Sequence, residues 1–306
     1  MTAAVQDFGP DCLLDGIRNG TGESPVWDAA SGCWFWIDIP NRGVYRLHAA
    51  TSAIRHWRLA EVVGSMVLRP DGGMVCACTT GIFDVDLPEE PGAEEASMTR
   101  LASVEHPSDG MRFNDGRCDR QGRLVVSTMV SDISLARPAG RWYRFTRAEG
   151  LRETGLDSIL VPNGSAFSPD GRTFYASDTH PKGRLVWAHD YDPDTGIPSN
   201  RRVFIDMRGM VGRPDGAAVD VGGCYWICCL DEGCIKRFTP AGVLDRVIRL
   251  PMRKPAMCAF GGPDGRLMMV TSLSRGPTDL AADPHGGRVA IISPGAQGLP
   301  EPRLSL

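Results

Sequence analysis

The 306 residues contain no apolar run near the ~20 needed to cross a bilayer as a helix, and the first twenty lack a basic segment followed by a long apolar one. No membrane partner is expected, and the chain reads as cytoplasmic. Positive charge is not in excess: 33 Lys and Arg against 37 Asp and Glu leave a formal net charge of -4. Without a basic field, nucleic acid is not an expected partner. No Gly-x-Ser-x-Gly elbow and no His-Glu-x-x-His motif occur, and His48, His56, His106, His180, His189 and His285 have no metal-ligand spacing. His180, just after Ser177-Asp178-Thr179, reads as a solvent-facing loop histidine. Helical patterning is missing as well, since Pro or Gly interrupts most apolar stretches before about ten residues. Ten cysteines are present, but none show Cys-x-x-Cys spacing and most lie inside apolar runs, as buried thiols do.

What remains is a repeat. Hairpin turns at Ser31-Gly32, Asp71-Gly72, Gln121-Gly122, Asp170-Gly171, Gly222-Gly223 and Asp264-Gly265 follow one another at 40, 50, 49, 52 and 42 residues. A four-stranded propeller blade takes ~40 to 50 residues. Each turn leads into a β-rich run, such as Cys33-Trp-Phe-Trp-Ile-Asp38, Leu124-Val-Val-Ser-Thr128 or Cys224-Tyr-Trp-Ile-Cys228, and most continue into a further strand. The expectation is a single all-β domain over 1–306: a six-bladed β-propeller of four-stranded antiparallel blades, its ring closed by strands from both ends of the chain, with a central metal site. A sandwich or a pair of sheet domains would not produce one spacing throughout. The acidic stretch 88–110 reads as a solvated excursion. Two other exposed loops, 131–140 and 274–286, are placed where either could cover a pocket.

Aligning the copies on their turn glycines brings polar residues into register. Glu23 precedes its glycine by nine residues, Asn114, Asn163 and Asp215 by eight, and Ser65 by seven. For any one of them a turn cap would suffice as explanation. Four at one level point further, because the first strand of every propeller blade lines the central channel. Two carboxylates and two amides meeting there would repel or go unsatisfied without a cation. An all-oxygen set suits a hard divalent ion such as calcium, magnesium or manganese.

With Gly22-Glu23-Ser24-Pro25, Arg112-Phe113-Asn114-Asp115-Gly116, Thr128-Met129, Asn163-Gly164, Asn200-Arg201-Arg202, Pro214-Asp215-Gly216 and Cys258-x-Phe260-Gly261-Gly262, the chain resembles the senescence marker protein 30/gluconolactonase family, which includes regucalcin and bacterial sugar lactonases. The resemblance spans nearly the whole length and carries the same six-bladed fold. It implies Glu23, Asn163 and Asp215 as metal ligands, Arg112 and Asn114 as hydrogen-bonding partners of substrate hydroxyls, and Asp215 as proton acceptor. The ion it implies is one of calcium, zinc, manganese, magnesium or iron(II). In one place the chain departs from the family: animal members carry a pair of glutamates shortly after Thr-Met, one of them lining the substrate pocket, where Val130, Ser131 and Asp132 stand here. Asp132 is then the acid expected to reach substrate.

The expected function is a metal-dependent sugar lactonase, opening an aldono-1,4- or 1,5-lactone with a metal-activated water and Asp215 as base. Its partner is a small sugar lactone, and a monomer or weak homo-oligomer is anticipated. One alternative is a metal-dependent phosphotriesterase or aryl esterase on the same fold, which an aromatic-lined pocket would favour. Another is a non-enzymatic interaction propeller in which the ion only holds the blades.

Overall fold

A computed structural model describes residues 3–305. It contains six antiparallel sheets, formed in chain order and arranged as six blades. Their inner strands are Gly22–Asp28, Val63–Leu68, Met111–Cys118, Pro162–Phe167, Arg213–Val219 and Pro255–Gly261. Second strands follow the anticipated turns: Cys33–Asp38, Met74–Cys78, Leu124–Val130, Thr173–Asp178, Tyr225–Leu230 and Leu267–Ser272.

A blade packs on two neighbours, so its sheet needs apolar residues on both faces and its central strands read as unbroken apolar runs rather than alternating ones. Cys33–Asp38 and Tyr225–Leu230 are buried at every position. The core is accordingly divided into six clusters, each spanning one blade interface. Phe35 and Ile37 of blade one meet Met66 and Phe83 of blade two, and Trp34 and Trp36 on the opposite face meet Ala259 and Met269 of blade six. Nine of the ten cysteines are buried and all are free, which fits their use as small core side chains.

Blade six differs from the regular pattern. Its sheet has three strands, Pro255–Gly261, Leu267–Ser272 and Ala290–Ile292. The N-terminal segment meets the outer edge through a single bridge, Leu13 to Ala290, because the 3-10 turn Pro10–Cys12 has already bent it out of strand geometry. Asn19 completes the closure: its backbone N–H donates to Gly287 O at 2.7 Å and its amide to the same oxygen at 3.1 Å, while its Oδ1 accepts from Trp36 Nε1 at 3.3 Å. Upstream, Ala4–Asp7 adds a parallel edge strand to blade five.

The stretch 88–110 is more ordered than a solvated excursion. Ser97–Ser103 is the outer strand of blade two, and Glu89 pairs with Arg46 and Arg55 of blade one. The C-terminal segment crosses beneath the hairpin turns, where Leu304 N donates to Leu68 O at 2.9 Å and Ser305 N to Gly122 O at 2.8 Å. Glu301 pairs with buried Arg117 inside the channel at 2.5 Å. The lower end of the channel is thereby stopped. Among the described residues the one α-helix, Pro277–Ala282, has six residues, and no helix is long and apolar enough to cross a membrane.

Tight packing of the inner strand Pro162–Phe167 against second strands of its own and the next blade makes a testable demand on glycine. Gly164 has φ of +65°, and a Cβ there would lie 2.5 Å from Tyr225 Oη and 2.6 Å from Ser177 Oγ. Gly150 has φ of +70° but nothing within 4 Å. Gly164→Ala should therefore lower unfolding free energy by about 3 kcal/mol, strain plus overpacking, and Gly150→Ala by only about 1 kcal/mol, strain alone. Chemical denaturation checks this, and equal losses at the two positions would contradict the packing described.

Candidate active site

Every inner strand breaks register with its neighbour near its upper end, where the strand begins. The shifts lie between Glu23 and Val26, Val63 and Ser65, Phe113 and Gly116, Asn163 and Ala166, Pro214 and Ala217, and Pro255 and Cys258. A bulge leaves extra residues unpaired, bends the strand and re-aims side chains. Asn114 and Asp215 sit inside their bulges, while Glu23 and Asn163 immediately precede theirs, followed by Ser24 at φ of 47° and Gly164 at 65°. All four side chains turn into the upper channel and are buried.

There they line a pocket of about 90 Å³ together with Arg112 and Arg213. A wider vestibule of about 690 Å³, walled by Ile39, Pro40, Val62 and Met111, lies alongside and shares Arg112 and Arg275 with it. No aromatic side chain lines either space among the described residues.

A chain of hydrogen bonds ties the polar groups together. Arg112 Nη1 donates to Asn114 Oδ1 at 2.7 Å and to Phe113 O at 2.8 Å. Asn114 Nδ2 donates to Pro162 O at 2.7 Å and to Asn163 Oδ1 at 3.1 Å. Asn163 Nδ2 donates to Thr179 Oγ1 at 2.7 Å, and the Thr179 hydroxyl donates to Asp215 Oδ1 at 3.2 Å. Both N–H groups of Asn114 are thus engaged, leaving one lone pair on its oxygen for a further partner.

The carboxylates are held against their preference. Burial and the charges of Asp215 and Asp115 push Glu23 well above the usual carboxylate range. Burial, with Asp115 adding to it, pushes Asp215 up to about 8. The charge of Arg112 pulls Glu23 the other way, and burial brings the guanidinium itself down to about 10. Two buried acids and an amide oxygen from three blades, facing one pocket, are a poor arrangement for an empty apolar core and a good one for a hard divalent cation. The donor set is one that could hold such an ion, with Glu23, Asn163 and Asp215 as the residues offering oxygen.

A second group of metal-capable atoms, Cys229, Glu232 and Cys234, gathers within 4.8 Å at the turn between the second and third strands of blade five. Lys236 Nζ already donates to Glu232 there at 2.6 Å, so an ammonium supplies the positive charge.

Of the residues singled out from sequence, Glu23, Arg112, Asn114, Asn163 and Asp215 come together in the pocket. Ser65 does not: its bulge is one residue shorter, at Gly64, and its buried hydroxyl lies deeper, without a hydrogen-bond partner among the described residues. Asp132 is exposed, and its Oδ1 accepts from Ser134 N at 3.0 Å and Ser134 Oγ at 2.6 Å as the cap of the short turn Ile133–Leu135. Ser131 and Ile133 line the pocket on either side of it, so the acid expected to reach substrate is directed elsewhere. His180 is buried rather than solvent-facing, accepting from Lys182 N and bonding Ile133 O at 3.2 Å. Thr179 and Arg275 were not anticipated, since they lie outside the inner strands, whereas Arg213, also missed, opens the inner strand Arg213–Val219 two residues before Asp215, just as Arg112 stands two before Asn114. For Thr179 a signal existed in the polar run Ser177-Asp178-Thr179.

Comparison with known proteins agrees with this architecture. A "6-deoxy-6-sulfogluconolactonase" from Pseudomonas putida is 35% identical over 284 residues, 92% of this chain and 94% of that protein. Regucalcin from Oryctolagus cuniculus is 33% identical over 286 residues, 91% of this chain and 93% of that protein. The crystal structure of a calcium-binding protein, regucalcin, from Agrobacterium tumefaciens superposes with a TM-score of 0.90 at 28% identity, covering 100% of both chains. Residues 21–274 match the family described as SMP-30/Gluconolactonase/LRE-like region, a span holding every inner strand, and the chain belongs to that family.

Proposed function

We propose that the protein is a metal-dependent sugar lactonase that opens an aldono-1,4- or 1,5-lactone to the sugar acid. The observation that supports it most is the convergence of Glu23, Asn163 and Asp215, each at an inner-strand bulge, on one polar pocket in a chain of this family. A bound divalent ion supplies Lewis acidity at a carbonyl oxygen and lowers the pKa of a coordinated water. Calcium, zinc, manganese, magnesium and iron(II) are the candidate ions.

The chain's own residues do the rest. Arg112, steadied by Phe113 O and Asn114 Oδ1, presents its remaining N–H groups to substrate hydroxyl oxygens. Asn114 spends its amide on positioning Arg112 and Asn163 and offers one lone pair to a substrate hydroxyl. Asp215, oriented by Thr179, takes the proton from the attacking water. Oxygen adds to the lactone carbonyl, the ring C–O bond breaks, and the ring oxygen leaves as a hydroxyl after gaining a proton. The acid product ionises and releases one proton, which an indicator dye can follow. A pocket without aromatic lining, floored by hydroxyl-binding groups, favours a polyol over a hydrophobic ester.

The direct test is metal-free protein reconstituted with each candidate ion and assayed on a panel of aldonolactones. Ion-dependent turnover is expected, and Arg112→Ala should cut kcat/KM by about 10- to 100-fold, the worth of a charge-assisted hydrogen bond, while metal content stays close to the parent's. Parallel loss of metal would move Arg112 out of the substrate role.

The buried acids add a pH signature. Asp215 sits near 8 when folded against ~3.9 for an ordinary aspartate, so the protonated form is the one the metal-free fold favours. Its contribution is fully present below about pH 4 and is lost as pH rises through about 8. Metal-free protein should therefore melt lower at pH 8 than at pH 5, and saturating divalent ion should raise Tm more at pH 8, where no proton competes. Equal ion-induced shifts at the two pH values would count against Asp215 as a ligand.

A further inference from the structure

Arg275 opens the loop 274–286, and the root of that loop is firmly held. Its backbone N–H donates to Asp279 Oδ2 at 2.8 Å, an oxygen also bonded by Lys254 Nζ at 2.8 Å. Just before it, Ser274 N donates to Gly20 O at 3.0 Å and Leu273 bridges to Thr21. At the far end, Arg18 Nη1 reaches Gly286 O at 2.6 Å. The guanidinium carried by this fixed root makes no hydrogen bond and no ion pair among the described residues, although it lines both the pocket and the vestibule. The buried hydroxyl of Ser274 likewise has no partner among them.

Unpaired arginines are ordinary on a solvated surface, so the surroundings decide. Three acids near this mouth are already engaged. Asp231 accepts from Arg213 Nε at 2.8 Å, Asp279 holds Lys254 and the loop, and Asp132 caps Ser134. Glu23 and Asp215 lie on the floor, where a divalent ion takes up their charge. Across the pocket stands Arg112, whose guanidinium is disfavoured first by burial and also by the charge of Arg275. Once the floor is neutralised, Arg112, Arg213 and Arg275 leave the mouth with surplus positive charge, and Arg275 is the one with a free fork of donors.

We infer that Arg275 selects lactones whose distal carbon carries a strong-acid anion, a sulfonate or a phosphate, over neutral aldonolactones. This rests on the lactonase assignment above and deepens it. A guanidinium fork matches two oxygens of such a group at once, which a neutral hydroxymethyl cannot offer.

The test is a selectivity ratio. Ion-loaded protein is assayed on glucono-1,5-lactone, its 6-phosphate and its 6-deoxy-6-sulfonate, and kcat/KM for each anionic lactone is divided by that for the neutral one. The parent should favour at least one anion by about 10-fold or more, chiefly through KM, with the two arms showing which anion is taken. Arg275→Gln should reduce the ratio about 10-fold, and Arg275→Lys should keep part of it. A parent ratio of one or less, or a ratio unchanged in Arg275→Gln, overturns the inference while leaving the lactonase standing. Absence of turnover on all three lactones overturns the lactonase itself, and the selectivity with it.

Discussion

Six bulges at one level hold this site together. Each inner strand must pair with its own blade along most of its length, yet near its upper end it gives up that pairing for one or two residues. Asn114 and Asp215 within their bulges, and Glu23 and Asn163 at the edges of theirs, thereby face the axis. Regular strands would send alternate side chains into the flanking apolar clusters, where a carboxylate has no place. Gly64, with a would-be Cβ 2.2 Å from Phe113 O, and Gly216, with one 2.4 Å from Met257 Cγ, show how closely neighbouring inner strands approach at this level. Bulge, glycine and polar residue are thus one device, repeated with different side chains.

The electrostatics follow from that geometry. Placing Glu23, Asp115 and Asp215 in one buried region raises the affinity of each for a proton. Two amides and a hydroxyl run in a single direction from Arg112 to Asp215, so the orientation of each group depends on the next. Such a network is stable when fully satisfied, and its unsatisfied capacity is concentrated at the floor, on the two carboxylates and the amide oxygen. The lower channel is stopped by Glu301 on Arg117, which leaves the loop-lined mouth as the way in.

Much of the fold was legible because a propeller writes its architecture into short-range signals. Turn glycines and apolar second strands recur once per blade, and counting them gives six. Long-range closure was legible only in outline: strands from both ends were expected to close the ring, but that the N-terminal contribution shrinks to the bridge of Leu13 to Ala290, that Ala4–Asp7 joins blade five and that the tail runs under the turns depends on residues far apart in sequence. Within the site, register on the turns brought Glu23, Asn114, Asn163 and Asp215 to one level, but the shorter bulge at Gly64 sent Ser65 deeper. Asp132 illustrates a different limit. In an exposed loop a short acid finds the nearest N–H, here that of Ser134, and no spacing rule reveals it. Arg275 and Thr179 lie outside the repeat, so periodicity has nothing to say of them.

Asp215 is asked both to hold the cation beside Glu23 and to accept a proton. Asp215→Asn keeps the size and one oxygen while removing a charge and the base. Metal content and lactone turnover, each measured with rising ion concentration, separate the two duties. The expected result is weaker ion binding, together with turnover still down by about 10²- to 10⁴-fold once occupancy is restored. A variant that binds metal and hydrolyses lactones like the parent would contradict both duties, and with them the claim that these bulge residues form the active centre.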